Sequence, residues 1–255
     1  MNIDTRRQKI EELVLEQGKV DIDDLVDLLG VSTMTIRRDL MFLEKENKLI
    51  RTHGGAVPVK GLINETPYSN KENQFLSEKR AIAKRAAEIV QEGHKVILDS
   101  GTTTLEIARV LKFRDDLTVI TNDILIAAEF VDSSIHVIVT GGELQNQVGA
   151  MFGPHTQDLL QSINADLLFL GAHAIHPQSG VTAPTLEKAK IKQMMRHAAK
   201  ETWVIADSSK FNRKSFASVC SLEEVEGIIT DEHVEEINIE AYHDQVVTAT
   251  AKKEG

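Results

Sequence analysis

Apolar residues recur at helical spacing through the first fifty positions of the chain and condense into short blocks beyond residue 93. In RRQKIEELVLEQ (6–17), Ile10, Leu13 and Val14 repeat with a helical period, with Gln17 in the same register, and the pattern stops at Gly18. Asp21 is placed to cap a second short helix carrying Leu25, Leu28 and Leu29, which Gly30 closes. Ser32 caps a third, from Thr33 to about Asn47. On it Ile36, Leu40 and Leu43 form one stripe facing the other two helices. Met34, Arg38, Met41 and Lys45 fall opposite, with Thr35 and Arg37 on the flanks. KLIRTHGGAV then reads as two short strands around a Gly-Gly turn.

Residues 57–74 hold Pro58, Pro67, Gly61 and a polar cluster without a sustained period, a linker composition. Ser77 is expected to cap a helix through EKRAIAKRAAEIV, ending near Gly93. β-rich runs follow at 95–100, 117–121, 136–142, 167–172, 202–209 and 225–230, most separated by helical stretches. Such alternation predicts a mainly parallel sheet with helices on both faces. The predicted class is α/β: a winged helix-turn-helix domain over 1–57, a linker over 58–74 and a larger α/β domain over 75–250. The last residues, TATAKKEG, are expected to fray.

Charge sharpens the division. The chain carries 29 Lys and Arg against 39 Asp and Glu, a formal net charge of -10. Residues 1–30 hold eight acids and four bases (-4), whereas residues 31–60 hold six bases and three acids (+3). Phosphate neutralisation is local, so that basic patch suits nucleic acid despite the global acidity. The single cysteine, Cys220, excludes an internal disulfide framework and fits a reducing compartment. MNIDTRRQKI lacks the apolar core of an export signal, and no apolar run reaches the roughly 20 residues of a membrane span. A cytoplasmic protein without a membrane partner is expected.

A second helix, a Gly-containing turn and a third helix polar and basic at its start make a helix-turn-helix, with the following strands as its wing. In the major groove an arginine can pair bidentately with guanine, while threonine or methionine methyls meet thymine. Candidate DNA-binding residues are Ser32, Thr33, Thr35, Arg37, Arg38 and Lys45 on the helix, and Arg51 and His53 on the wing. Ser32, Lys45 and Lys48 suit phosphate contacts that set register without reading sequence. The blander alternative is a solvated helix of a protein-binding winged domain, in which Met34 and Met41 simply pack.

In the larger domain, ligands are expected beyond the carboxyl ends of the strands. DSGTTTLEIARVL (99–111) places a tight Gly101 turn and three threonines at a helix start, where backbone N–H groups and the helix dipole favour an anion. A simple capped turn would need one threonine. No Gly-Lys-Ser/Thr follows, and the spaced glycines of a dinucleotide site are missing. Thr121-Asn122-Asp123, Thr140-Gly141-Gly142-Glu143 and Asp207-Ser208-Ser209-Lys210 end other strands. Lys210 is a charge partner for phosphate, or else a solvated loop lysine. His155, His173 and His176 lack an acid at ligand spacing, so no metal and no cofactor is expected.

VSTMTIRRDLMFLE followed by IRTHGGA resembles the amino-terminal domain of the DeoR family of bacterial transcription regulators. DSGTTT, ITND, TGGE, GVTAPTLEKAKIKQMM and ADSSKF resemble its sensor domain, so the resemblance spans nearly the whole chain. That domain is similar in fold to ribose-5-phosphate isomerase and typically senses phosphorylated sugars. The resemblance implies DNA contacts from Thr33, Thr35, Arg37 and Arg38. It implies an effector pocket built from Asp99, Gly101, Thr102, Thr103, Thr104, Thr121, Asn122, Gly141, Gly142, Lys192 and Lys210. His173 stands where many members carry an acid, and Lys190 where an acid often precedes Lys192; both add potential positive charge, and His173 joins the pocket candidates. The implied protein is a repressor of a carbohydrate-catabolism operon, not an enzyme. It binds double-stranded operator DNA as a homodimer or homotetramer and is modulated by a phosphorylated sugar or related anionic metabolite. The alternative is an isomerase-like enzyme with an appended DNA-binding domain, with Asp99 or Glu143 as its base.

Overall fold

A computed structural model of the chain describes residues 2–17, 20–46, 48–52, 54–58, 68–146, 148–236, 241–242 and 246–250. It divides into two compact units, Met1–Asn64 and Glu65–Gly255.

The first unit runs α1 (Ile3–Gln17), β1 (Val20–Asp21), α2 (Ile22–Leu29), α3 (Thr33–Lys45), β2 (Leu49–Arg51) and β3 (Gly55–Pro58). Ile10, Val14, Leu25, Ile36, Leu40, Leu43 and Leu49 form its buried core, which is the stripe the spacing predicts. Gly30 closes α2 at φ 64, its N–H donating to Val26 O at 2.9 Å. Asp21 holds the cap position of α2, but its side chain makes no cap bond. The wing has a third strand that spacing does not predict, in the order β1-β3-β2. β1 and β3 approach so closely that a Cβ on Gly55 would lie 1.8 Å from Val20 O, so only glycine fits there.

α3 is fastened to α1 by a buried ion pair with no periodic signature. Asp39 is 2% exposed and accepts from Arg6 Nε at 2.6 Å and Arg7 Nε at 2.9 Å. Arg6 is itself buried, and the Arg7 guanidinium lies 3.7 Å over the Phe42 ring.

The second unit begins with α4 (Tyr68–Glu72) and α5 (Leu76–Ala87). It continues β4 (Lys95–Leu98), α6 (Thr102–Leu111), β5 (Thr118–Thr121), α7 (Ile124–Ala128), β6 (His136–Val139), β7 (Glu143–Gln145), β8 (Ala150–Phe152) and α8 (Pro154–Ser162). There follow β9 (Ala165–Gly171), β10 (Ala174–His176), β11 (Gly180–Ala183), α9 (Leu186–Ala198), β12 (Ala199–Ile205), β13 (Ala217–Cys220), β14 (Gly227–Asp231) and β15 (Val246–Ala249). Seven strands form one sheet in the order β15-β14-β12-β9-β4-β5-β6, with every pair parallel. Strand alternation feeds two cores: Val96 and Leu98 join Ile82, Leu105 and Ala108 of α5 and α6. Ile97, between them in sequence, turns the other way to Ile191 and Met195 of α9.

Several details depart from the expected pattern. Helix α4 lies within the segment read as linker, of which residues 59–67 are outside the described residues. Helix α5 starts one residue before Ser77; Phe75 holds the cap position at φ 53, and Ser77 Oγ donates to Glu78 instead. Part of the tail expected to fray is strand β15, paired with β14. The hairpin β7-β8 and the small antiparallel sheet β10-β11-β13 also escaped the block pattern.

Candidate functional site

In the first unit the exposed side of α3 is cationic and apolar. Met34 is 61% and Met41 55% exposed, and Thr33, Arg37, Arg38 and Lys45 share that exposure. Among the described residues, no ion pair engages Arg37, Arg38 or Lys45, so their charge is available to a partner. Other candidates are already occupied. Ser32 Oγ accepts from Thr35 N at 3.3 Å and lies 2.9 Å from Thr35 Oγ1, so both hydroxyls help to start the helix. Arg51 Nε donates to Glu44 Oε2 at 2.8 Å and its backbone N–H to Glu44 Oε1 at 3.0 Å, which holds Glu44 below its ordinary pKa. His53 is outside the described residues.

In the second unit Asp99 follows the end of β4, and Gly101 turns the chain into α6 at φ 153. The backbone N–H groups of Thr102, Thr103 and Thr104 open that helix without an acceptor among the described residues. The three hydroxyls divide. Thr104 is fully buried and donates to Gly101 O at 2.8 Å, which makes it part of the turn, whereas Thr103 stays half-exposed.

Around this corner the fold gathers lysines from four elements. Lys192 of α9 donates to Asp99 and, at 2.8 Å, to Gly171 O at the end of β9. Asp99 also accepts from Gly171 N at 3.0 Å, so it clasps β4, β9 and α9 together. Lys210 lies in the 208–210 turn after β12, 3.9 Å from Asp207. A bridge between Ile175 and Phe211 and a bond from Arg213 N to Ile175 O (3.1 Å) lay this turn along β10, beside His173. Lys71 of α4 sits near Lys210 and Lys192, and Lys79 of α5 donates to Lys71 O.

These cations disturb one another. Burial, then Lys210 and Lys192, brings Lys71 down to about 8. Burial brings Lys79 to about 8 against the pull of Asp207, and burial with Lys192 brings Lys188 to about 7. His173 falls to about 3, through burial and then the fields of Lys71, Lys210, Lys192 and Arg213. It is therefore neutral at physiological pH and adds no positive charge, contrary to the expectation from sequence. Lys190 is exposed on α9.

The remaining candidates shape the crevice from within the fold. Thr121 Oγ1 accepts from Asp123 N at 3.1 Å, and Asn122 Nδ2 donates to Met151 O at 3.1 Å. Asp123 caps α7 through Leu125 N at 2.8 Å and is pushed up to about 6 by burial. Gly141 O accepts from Thr156 Oγ1 at 2.6 Å, and a Cβ on Gly142 would meet Phe152 O at 2.3 Å. Asn122 Oδ1 and Asp123 Oδ2 are buried with no hydrogen-bond partner among the described residues. Among the described residues no group of His, Cys, Asp or Glu is placed to hold a metal ion.

A separate cavity of about 900 Å³ is lined by Tyr68, Arg109, Phe113, Leu125 and Glu129. Its main cation is spoken for: Arg109 bonds Glu129 at 2.9 Å, Glu106 at 2.6 Å and Glu72 at 3.2 Å. In the lysine crevice, by contrast, cations from four elements converge. Lys71, Lys79 and Lys188 went unrecognised in the sequence. A lysine in a polar stretch or on a helix gives no sign of burial, and the excess of charge exists only once four elements meet.

Residues 6–61 match the DeoR-like helix-turn-helix domain and residues 74–232 the DeoR C terminal sensor domain. The chain is 41% identical to the "HTH-type transcriptional regulator GlpR" of Haloferax volcanii over 89% of each chain. It is 38% identical to the "Putative aga operon transcriptional repressor" of Escherichia coli O157:H7, over 90% of this chain and 86% of that one. A "Lactose phosphotransferase system repressor" of Staphylococcus epidermidis is 31% identical, over 91% and 93%. Ribose 5-phosphate isomerase A from Methanocaldococcus jannaschii aligns with TM-score 0.41 at 17% identity, over 54% and 55% of the two chains, too loosely to bear on function. On these matches, which take in both units, the chain belongs to the DeoR family of transcriptional regulators.

Proposed function

We propose that this regulator represses a carbohydrate-catabolism operon and that a phosphorylated sugar or related anionic metabolite, bound in the lysine crevice, modulates its hold on operator DNA. The observation that carries this reading is the convergence of Lys71, Lys79, Lys192 and Lys210 on a helix start with open N–H groups. Thr102, Thr103 and the α6 N–H groups would receive phosphate oxygens; neutral His173 would serve a sugar hydroxyl. Asp99, Thr104, Thr121, Asn122, Gly141 and Gly142 hold the crevice in shape. Two of the relatives are named as repressors of an aga operon and of a lactose phosphotransferase system. Asp99 is engaged by Lys192, so it is ill placed to act as the base of an isomerase. Thermal melting against a panel of pentose and hexose phosphates tests the reading, since a ligand selective for the folded state must raise its stability. No shift from any member would refute it.

Thr33, Arg37, Arg38 and Lys45 of α3 would enter or flank the major groove, with Ser32 and Thr35 at the groove edge. One such helix gives modest affinity, so symmetric half-sites and a homodimer or homotetramer follow. Arg37→Ala and Arg38→Ala are each expected to cost about 1–3 kcal/mol of operator binding where the arginine reads a base. Where it meets phosphate, the loss is uniform across sequences and the salt slope falls by about one. Anisotropy titrations of labelled promoter DNA across salt concentrations check both. No described helix is long and apolar enough to cross a membrane, which accords with a cytoplasmic regulator.

The crevice should also show a pH signature. Sulfate, whose charge stays fixed over the range, is expected to bind progressively more weakly as pH rises through about 8, where Lys71 and Lys79 lose their protons. Lys188 discharges near 7 and steepens the onset; His173 stays neutral, and Asp123, with its midpoint near 6, is already largely ionised at pH 8. Lys192, Lys210, Arg213, Asp99 and Asp207 complete the charged surroundings. An anion favours the protonated lysines, so binding must take up protons in that window. Calorimetric titrations in buffers of different ionisation enthalpy, at constant ionic strength, measure the uptake; pH-independent binding would contradict it.

A further inference from the structure

The seven-stranded sheet ends in β6, and among the described residues no strand lies on its far side. A bare edge of N–H and C=O groups is a template for another strand, and proteins that stay single blunt it with Lys, Pro or a bulge. β6, HVIV, has none of these, and its register with β5 runs without a shift. Which backbone groups face outward follows from one bond. Thr140 N donates to Thr121 O at 3.0 Å, so residue 140 turns its backbone toward β5. Backbone direction alternates along a strand, so Ile138 also faces β5, while Val137 and Val139 direct N–H and C=O away from the sheet. Beside this edge runs a shallow groove between α7 and β6, lined by Ile124, Ala127, Val131, Val137 and Val139. Val131 is 79% and Val139 42% exposed. No acid, lysine or arginine lines the groove, in a chain of formal net charge -10.

We propose that β6 is the centre of a two-fold interface between two copies of this chain, each β6 pairing antiparallel with the other about an axis at Ile138. The inference rests on the proposed homo-oligomer and names the surface that forms it. With the axis there, Val137 of one copy stands opposite Val139 of its partner on each side of the axis, and their outward N–H and C=O groups exchange hydrogen bonds. Val137 packs on the α5–α6 core and Ile138 on the opposite one, so Val139 shares the face of Val137 and of the groove. Val139 of each copy is thereby laid against the groove of the other. Three features favour a second copy over a foreign strand. Groove and entering side chain belong to the same strand, which is the self-complementarity an isologous contact needs. Two strongly acidic chains approach at least cost where neither presents a charge, and this strip presents none from Asp, Glu, Lys or Arg. An antiparallel edge contact also generates the two-fold axis that symmetric half-sites require.

Sedimentation velocity of the full chain tests the interface. The wild type is expected to run as a dimer or tetramer. Val139→Pro deletes an outward N–H without touching the pairing with β5, a change that an edge strand tolerates. It is expected to halve the mass, with the melting transition of the second unit retained. Val131→Glu, which puts a charge in the groove at an exposed site, should do the same. Ile138→Cys reads the register: residues opposite each other in a non-hydrogen-bonded antiparallel pair lie about 4.5 Å apart at Cα, within disulfide reach. On oxidation this variant should yield a covalent dimer, and the wild type, whose Cys220 is buried, should not. Wild-type mass in Val139→Pro or Val131→Glu, or no cross-link from folded Ile138→Cys, would overturn the β6 interface and leave the homo-oligomer standing. A monomeric wild type would overturn both.

Discussion

Asp39→Ala is expected to unfold the amino-terminal unit at ordinary temperature and to abolish operator binding, although Asp39 faces no DNA. Its carboxylate is the shared acceptor of Arg6 and Arg7, and both it and Arg6 are buried. Removing one partner of a buried pair leaves the other charge without compensation, at a cost of about 3–5 kcal/mol. A unit of this size has a core able to supply only about 3–5 kcal/mol in all. The two quantities cancel, and the folded population collapses. Arg7 loses its fixed position over Phe42 as well, and with it the packing of α1 across α3. In the full chain, exchange of the α1 and α3 amides should approach that of unstructured peptide while the sheet of the second unit keeps its protection. Asp39→Asn keeps one acceptor oxygen, enough for one of the two arginines, and should fall between. If the alanine variant binds promoter DNA like the wild type, the pair is not what joins the helices.

That pair marks the boundary of what sequence pattern conveys. Ile36, Leu40 and Leu43 announce the inner face of α3 because burial of apolar groups leaves a period. Asp39 lies on the same inner side without extending that period, and its partners are 33 and 32 residues away. The sheet shows the same division. Its buried parallel strands read as apolar blocks, since helices cover both faces. β1, two residues long, offers no pattern, and what betrays it is the backbone approach that excludes a side chain at Gly55. In the crevice, the DSGTTT turn is legible because a helix start has fixed chemistry. The lysines are not, because their meaning depends on neighbours brought together by the fold. His173 is instructive: from sequence it adds potential charge, yet burial first, and then the surrounding cations, brings its pKa down to about 3.

Lys192→Met should destabilise the second unit by about 3–5 kcal/mol, because it strands the Asp99 carboxylate at 1% exposure. The Gly171 N–H remains as a donor at 3.0 Å, but one neutral donor does not replace an ammonium. Urea denaturation of the variant beside the wild type would show the deficit. Adding Asp99→Asn removes the stranded charge and is expected to return much of the lost stability, since a neutral pair carries no ionic desolvation penalty. The double variant still lacks a crevice cation, so sulfate binding should stay weak while stability recovers. That separation is the decisive point. If affinity recovered together with stability, Lys192 would be a clasp for Asp99 and nothing more, and the anion would have to be held by Lys71, Lys210 and the start of α6 alone.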